Sequence, residues 1–275
     1  MPDKLFFTNM KKILTFAAVA ALAAAAAACT PKVHKIQVTA HRGFWNCEEA
    51  GFAENSIASL RLAQENGLWG SEFDVQMTSD SVILVNHNND FNGLLIWDNP
   101  YEAFKDSTLK NGEPVPTLDD YLTQGEKCKT TVLVFELKIQ KDEHAENVMT
   151  DKSIEALKAH NLYDPERVIF ISFSLNICKR IARAAPGFTN QYLGDDMSPD
   201  QLDSLGINGI DFHYKVFGKH PDWLRQARNH KMSVNCWTVN KDEDIQAMID
   251  LGVDCITTNE PLRVRELLGD REERL

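Results

Sequence analysis

The 275-residue sequence lacks any marked cluster of Lys and Arg, and its 40 acidic residues outnumber 29 basic ones for a formal charge of −11. Nucleic-acid backbones are bound through basic surface, so this balance argues against nucleic acid as a partner. A small phosphorylated molecule needs only a local positive site and is not excluded. Cysteine is also scarce, with six residues and no Cys-x-x-Cys spacing, which leaves neither a zinc site nor a disulfide framework to expect. Most of the cysteines read as small buried hydrophobes. No internal repeat or low-complexity tract appears after residue 29. With 43% hydrophobic and 25% charged residues, the chain can bury one sizeable core and gives no sign of global disorder.

What is present begins with a leader. Met10-Lys11-Lys12 precedes an apolar, Ala-rich run from Ile13 to Ala28, followed by Cys29-Thr30-Pro31. A basic start, an apolar stretch and small residues before a cleavage point describe a secretory signal peptide over residues 1–29. The run is short for a bilayer span. Cys29 directly after the small residues is similar to a bacterial lipobox, although Ala26 stands where Leu is usual. The expectation is an exported protein anchored to a membrane through lipidated Cys29.

Residues 30–275 are expected to form one domain. Apolar β-rich runs alternate with helical patterns, which predicts an α/β fold with parallel strands closed into a (β/α)8 TIM barrel. The expected strands are Ile36–Ala40, Glu72–Met77, Val82–Asn86, Val132–Leu137, Arg167–Ser172, Asn190–Leu193, Gly209–Phe212, Ser233–Val239 and Cys255–Thr257. That is one more than a barrel holds, and the pattern alone does not say which lies outside. Residues 88–116 are irregular and rich in turn formers, and they read as an insertion over one end of the barrel after the His87 strand.

Four clusters sit at strand ends. His41-Arg42-Gly43 follows the first strand, combining a titratable ring, an anion-binding guanidinium and a flexible residue. Glu72 and Asp74, two apart on a strand, face the same way and can reach one hard cation. The run Val82–Asn86 delivers His87. Glu136 and Lys138 again share a face, setting a third carboxylate beside a cation. Each cluster alone reads equally well as a solvated strand end.

Together they resemble the glycerophosphodiester phosphodiesterase family. The family pattern of His-Arg-Gly, Pro-Glu-Asn-Thr, Glu-x-Asp-Val, a turn, and a strand ending in His-Asp stands here in five segments. They are His41-Arg42-Gly43, Ala53-Glu54-Asn55-Ser56, Glu72-Phe73-Asp74-Val75, Thr78–Ser81 and His87-Asn88. Pro116-Thr117-Leu118, Glu136-Leu137-Lys138, Ser172-Phe173, Trp237-Thr238-Val239-Asn240 and Ile256–Pro261 follow in the same order. Four positions depart: Ala53 and Ser56 replace Pro and Thr, Ser81 replaces a turn Gly, and Asn88 replaces Asp.

The resemblance implies a phospholipase C-like phosphodiesterase barrel that hydrolyses a small glycerophosphodiester to glycerol 3-phosphate and an alcohol. It implies one divalent cation, Ca²⁺ or Mg²⁺, on Glu72, Asp74 and Glu136. Arg42 and Lys138 would hold the phosphate, and His41 and His87 would be the acid–base pair, with either one the base. Trp237 would wall the glycerol, or else be an ordinary buried barrel Trp. Glu54 and Asn55 are left outside this set, with Asn55 or Ser56 capping the next helix. Two alternatives stay open. One is a related barrel phospholipase acting on intact lipid, for which Phe91, Trp97, Tyr101 and Phe104 of the insertion would supply an aromatic rim. The other is a non-catalytic lipoprotein that binds phosphoryl ligands.

Overall fold

The computed structural model describes residues 35–272. The leader with Cys29 therefore lies outside the described residues. From Ile36 onward the chain forms one compact unit.

β1 (Gln37–Ala40) leads through a long loop to α1 (Ile57–Glu65) and β2 (Gly70–Met77), and β2 turns back into β3 (Ile83–Val85). A small hairpin follows, β4 (Asp90–Phe91) and β5 (Leu94–Leu95), before α2 (Leu118–Gly125) and β6 (Val132–Leu137). Strict alternation then takes over with α3 (Glu143–Ala159), β7 (Val168–Ser172), α4 (Leu175–Ala184), β8 (Thr189–Tyr192), α5 (Pro199–Ser204) and β9 (Gly209–His213). Two helices, α6 (Val216–Lys219) and α7 (Trp223–Asn229), precede β10 (Ser233–Trp237), α8 (Asp242–Leu251), β11 (Cys255–Thr258) and α9 (Pro261–Glu272).

Among the described residues, eight parallel strands close in the order β1-β2-β6-β7-β8-β9-β10-β11, with β11 pairing back onto β1. The surplus candidate is β3, which pairs antiparallel with β2 outside the ring through Val75 opposite Val85. The fold is thus the expected (β/α)8 barrel. The short α6 has no counterpart in the pattern reading, because four residues are too few to show a helical period.

Helix starts follow local chemistry. Ser56, Thr117, Asp142, Ser174 and Ser198 each accept a bond from a backbone N–H in the first turn of the helix they precede. These caps fix where each connection ends and so how far each strand-end loop reaches over the barrel.

The strands alternate cleanly. Phe73, Phe135 and Phe170 point outward and stack from strand to strand, with centroids 4.6 and 5.9 Å apart and Tyr121 of α2 on Phe73 at 4.4 Å. This ladder anchors one half of the layer between barrel and helices. A second cluster around Ile210, Phe212, Val234 and Ile256 fills the other half. The barrel interior is mixed. Val132, Val134, Ile171 and Leu193 pack together inside, while Asn235 donates to Asp211 at 2.9 Å and lies 3.1 Å from Thr257.

Residues 88–116 form their own small core. Ile96 and Phe104 are buried against Leu84, with Phe91 and Tyr101 packed on them. Phe104 is buried and Phe91 and Tyr101 partly so, while Trp97 stays half-buried outside this core and Leu94 and Leu95 of the hairpin are exposed.

The β2–β3 turn holds Ser81 at φ 65°. A residue with a Cβ is strained in that region, where Gly is at ease. Ser81→Gly is expected to raise the thermal midpoint by about 1–3 °C, measured by circular dichroism, the relief of strain exceeding the added freedom of the unfolded chain.

Candidate active site

The functional candidates converge because the inward face of each strand reaches the same end of the barrel. Registers place Asp74 beside Glu136 and Glu72 beside Val134, so the three carboxylates stack over the apolar interior. One oxygen from each of Glu72, Asp74 and Glu136 lies within 4.8 Å of the others, and all three residues are buried. His41 and Arg42 follow β1, the neighbour of β2. Asn86, the residue before His87, bonds its backbone N–H to the carbonyl of Asp74 at 3.0 Å, which brings His87 to the same rim. Trp237 ends β10, on the far side of the ring from β6. It is half-buried, donates its ring N–H to the carbonyl of Asp211 at 2.9 Å, and meets Phe173 and His213 edge-on at 5.6 and 5.3 Å.

The loop after β1 is built to grip the carboxylates. Arg42 adopts φ 57°, which turns its backbone N–H onto Oε2 of Glu72 at 2.7 Å. Gly43, at φ 77°, donates its N–H to the Glu72 carbonyl at 2.9 Å. A Cβ on Gly43 would stand 2.3 Å from the Ser59 hydroxyl, so no larger residue fits there without moving α1 or the loop. The Arg42 side chain donates to Glu54 at 2.7 Å and lies 3.7 Å from Asp74.

Asp74 is clasped from two sides. The Asn55 side-chain amide donates to its carboxylate at 2.8 Å and accepts its backbone N–H at 3.1 Å. Lys138 bridges it to Glu136, with Nζ 3.3 Å from Asp74 and 2.7 Å from Glu136. Burial opposes ionisation of Asp74, but Lys138, His87, the Asn55 bond and Arg42 together hold it below the usual carboxylate range. Glu72 and Glu136 go the other way. Burial and then the neighbouring carboxylates raise Glu72 well above that range. Burial and Asp74 push Glu136 up to about 7, against the pull of Lys138. Oε1 of Glu72 has no hydrogen-bond partner among the described residues. A buried carboxylate oxygen without a partner is costly, and three such groups with oxygen donors only suit a hard cation such as Ca²⁺ or Mg²⁺.

Both histidines are pinned through Nδ1, His41 to Oδ1 of Asn259 at 2.8 Å and His87 to Oδ1 of Asn88 at 2.9 Å. Burial, with Arg42 next, lowers His41 to about 4. Burial also lowers His87, against the opposing pull of Asp74.

Every residue singled out from the sequence thus reaches the mouth, with Trp237 opposite the carboxylates. Sequence reasoning left Glu54, Asn55 and Asn259 without a site role. Asn55 does not cap α1; Ser56 does. The signal was there, since all three fall inside segments that matched the family pattern, but capping explained the Asn55–Ser56 pair without a site.

In protein stripped of divalent metal, stability should fall as pH rises from the carboxylate range through about 7. The fold there holds protons on Glu72 and Glu136 that the unfolded chain has released. Glu72→Gln should therefore raise the thermal midpoint of chelated protein at pH 8 by about 2–6 °C. It should also abolish the stabilisation that added Ca²⁺ or Mg²⁺ gives the unaltered protein. Differential scanning calorimetry reads both.

Comparison with known proteins places the chain in a family. Residues 41–263 match the model of the glycerophosphoryl diester phosphodiesterase family. A glycerophosphodiester phosphodiesterase from Caldanaerobacter subterraneus subsp. tengcongensis is 30% identical over 82% of this chain and 95% of its own length. The crystal structure of a glycerophosphodiester phosphodiesterase from Parabacteroides distasonis superimposes with a TM-score of 0.83 at 40% identity, covering 86% of this chain and 98% of that one. An Oleispira antarctica phosphodiesterase, solved with the product sn-glycerol-3-phosphate, shares the fold at TM-score 0.69 and 23% identity, over 85% of this chain and 96% of that one. The matched span runs from His41, at the head of the site, past Asn259, which holds it, and the chain belongs to the glycerophosphoryl diester phosphodiesterase family.

Proposed function

We propose that this enzyme hydrolyses glycerophosphodiesters to glycerol 3-phosphate and an alcohol, using one divalent cation and a pair of histidines. The observation that carries the reading is the meeting of three buried carboxylates, two cationic side chains and two imidazoles at one barrel mouth. Two imidazoles beside such a cluster supply the proton acceptor and donor that catalysis needs and mere binding does not.

Glu72, Asp74 and Glu136 would hold the cation, which when bound would supply positive charge against the non-bridging phosphate oxygens. Lys138, 3.3 Å from Asp74 and 2.7 Å from Glu136, would present its ammonium to the phosphate at the edge of that cluster. Arg42, kept in place by Glu54, presents a second cationic group. The histidines move the protons. One takes a proton at Nε2 from a glycerol hydroxyl or water, and the other, entering the cycle protonated on both nitrogens, gives its Nε2 proton to the departing alkoxide. Low proton affinity at His41 leaves it neutral at physiological pH, ready to accept. Trp237 and Phe173 offer an apolar wall to the carbon side of the glycerol.

Phe104 of the insertion is spent on a core of its own, which favours soluble diesters, while exposed Leu94 and Leu95 keep intact lipid as the second reading. Export and attachment to a membrane through Cys29 belong to the same proposal and rest on the leader pattern alone.

Glycerol 3-phosphate release from glycerophosphocholine and glycerophosphoethanolamine should require Ca²⁺ or Mg²⁺ and stop with chelator. His41→Ala and His87→Ala should each lower kcat by about 10²- to 10⁴-fold, with Glu72→Ala equally damaging. Release by the unaltered protein that survives chelation would refute the metal role. Absence of release with either metal would refute the substrate class. Labelling of the full chain with radioactive palmitate in a bacterial host should disappear in Cys29→Ser; persistent labelling would remove Cys29 as the anchor.

A further inference from the structure

The two imidazoles are held by the same chemical device, supplied from different parts of the chain. We propose that Asn259 and Asn88 are positioning residues that keep a hydrogen on Nδ1 of His41 and His87, so that proton exchange with the substrate runs through Nε2 of each ring. The inference deepens the acid–base reading above and rests on it for its catalytic consequence.

An amide oxygen can only accept, so the ring nitrogen facing it must carry the hydrogen. In a neutral imidazole that leaves the other nitrogen bare. Both short contacts run from Nδ1 to Oδ1, 2.8 Å for His41 and 2.9 Å for His87. The backbone on either side of the site is held in place, although the Asn88 side chain itself is exposed. The Asn259 backbone N–H donates to Oδ1 of Asn240 at 2.9 Å, and the same oxygen accepts from the Thr258 hydroxyl at 3.2 Å. The backbone N–H of His41 donates to the Thr258 carbonyl at 2.9 Å. One loop after β11 therefore grips His41 at both backbone and ring. On the other side the Asn86 side chain donates to the Asn88 carbonyl at 2.7 Å, and Gln76 donates to Asn89 at 3.1 Å.

The neutrality of these partners has a consequence. A carboxylate on Nδ1 would orient the ring and also stabilise its protonated form. An amide orients it with less such bias. Each ring is thus aimed without being held charged, which suits a pair that must exchange protons in both directions within one turnover. The low proton affinity of His41, set by burial and Arg42 against the pull of the Asn259 bond, agrees with this.

The test uses the full chain and two readouts. Nitrogen-15 spectra of the histidine rings at pH 7.5 should show Nδ1–H for His41 and His87, with the His41 signal moving toward Nε2–H in Asn259→Ala and the His87 signal in Asn88→Ala. With glycerophosphocholine and metal, each Ala variant should lose about 10- to 100-fold in kcat while KM stays within about twofold. Asn259→Asp and Asn88→Asp, which keep the acceptor, should recover most of kcat and move the acid limb of the pH–rate profile upward. Wild-type rings protonated on Nε2, or Ala variants with unchanged spectra and kcat, would overturn the proposal. Should Asn259→Ala fail to fold, the wild-type spectra and Asn88→Ala decide it. A wild-type protein that turns over no diester refutes the functional reading, while the ring spectra still test the tautomers.

Discussion

The site depends first on the register between β2 and β6. Pairing Phe73 with Phe135 and Asp74 with Glu136 is one geometric statement seen from two faces of the sheet. Stacking of the rings outside the barrel sets the carboxylates inside it. A slip of one residue would send the acids into the helix layer and the phenyl rings into the mouth. Apolar packing is non-directional, but on a pleated strand it acts as a ruler. The cost of crowding three buried carboxylates is therefore met away from the site, by the aromatic ladder and the helices that cover it.

Charge in the mouth is managed unevenly. Asp74 collects nearly all the support, from Lys138, Asn55 and Arg42, and stays ionised. Glu72 receives one backbone N–H and keeps a bare oxygen. That asymmetry fits the proposed cation site, with one carboxylate fixed in advance and another left under-satisfied. The left-handed backbone at Arg42 belongs to the same design, since it turns an N–H toward Glu72 that an extended chain would aim elsewhere.

Much of this was legible in the sequence for reasons that are local. The inward alternation of Glu72, Asp74, Glu136 and Lys138 follows from strand periodicity, and the alternation of β-rich and helical patterns pointed to the barrel. The surplus strand could not be assigned, because Val82–Asn86 and a barrel strand have the same composition. Only the tight Thr78–Ser81 reversal puts β3 antiparallel to its neighbour. Glu54, Asn55 and Asn259 lie in family-matching segments, but their partners stand 12, 19 and 218 positions away, so spacing alone assigns none of them a site role. No pattern of spacing along the chain announces a contact that exists only after the barrel has closed. The short α6 escaped for the opposite reason, being too brief to carry any period.

Closure joins the two ends of the domain: β11 pairs with β1, and Asn259 reaches His41 across that seam. His41 leaves the ribosome among the first residues of the domain, and its holder is among the last. A chain emerging from synthesis thus carries all three acids and both imidazoles before His41 has its ring partner. On the proposed positioning role, acid–base competence arrives only when the final strand docks between β1 and β10. That ordering would act as a built-in delay, keeping the chemistry silent until the fold has closed.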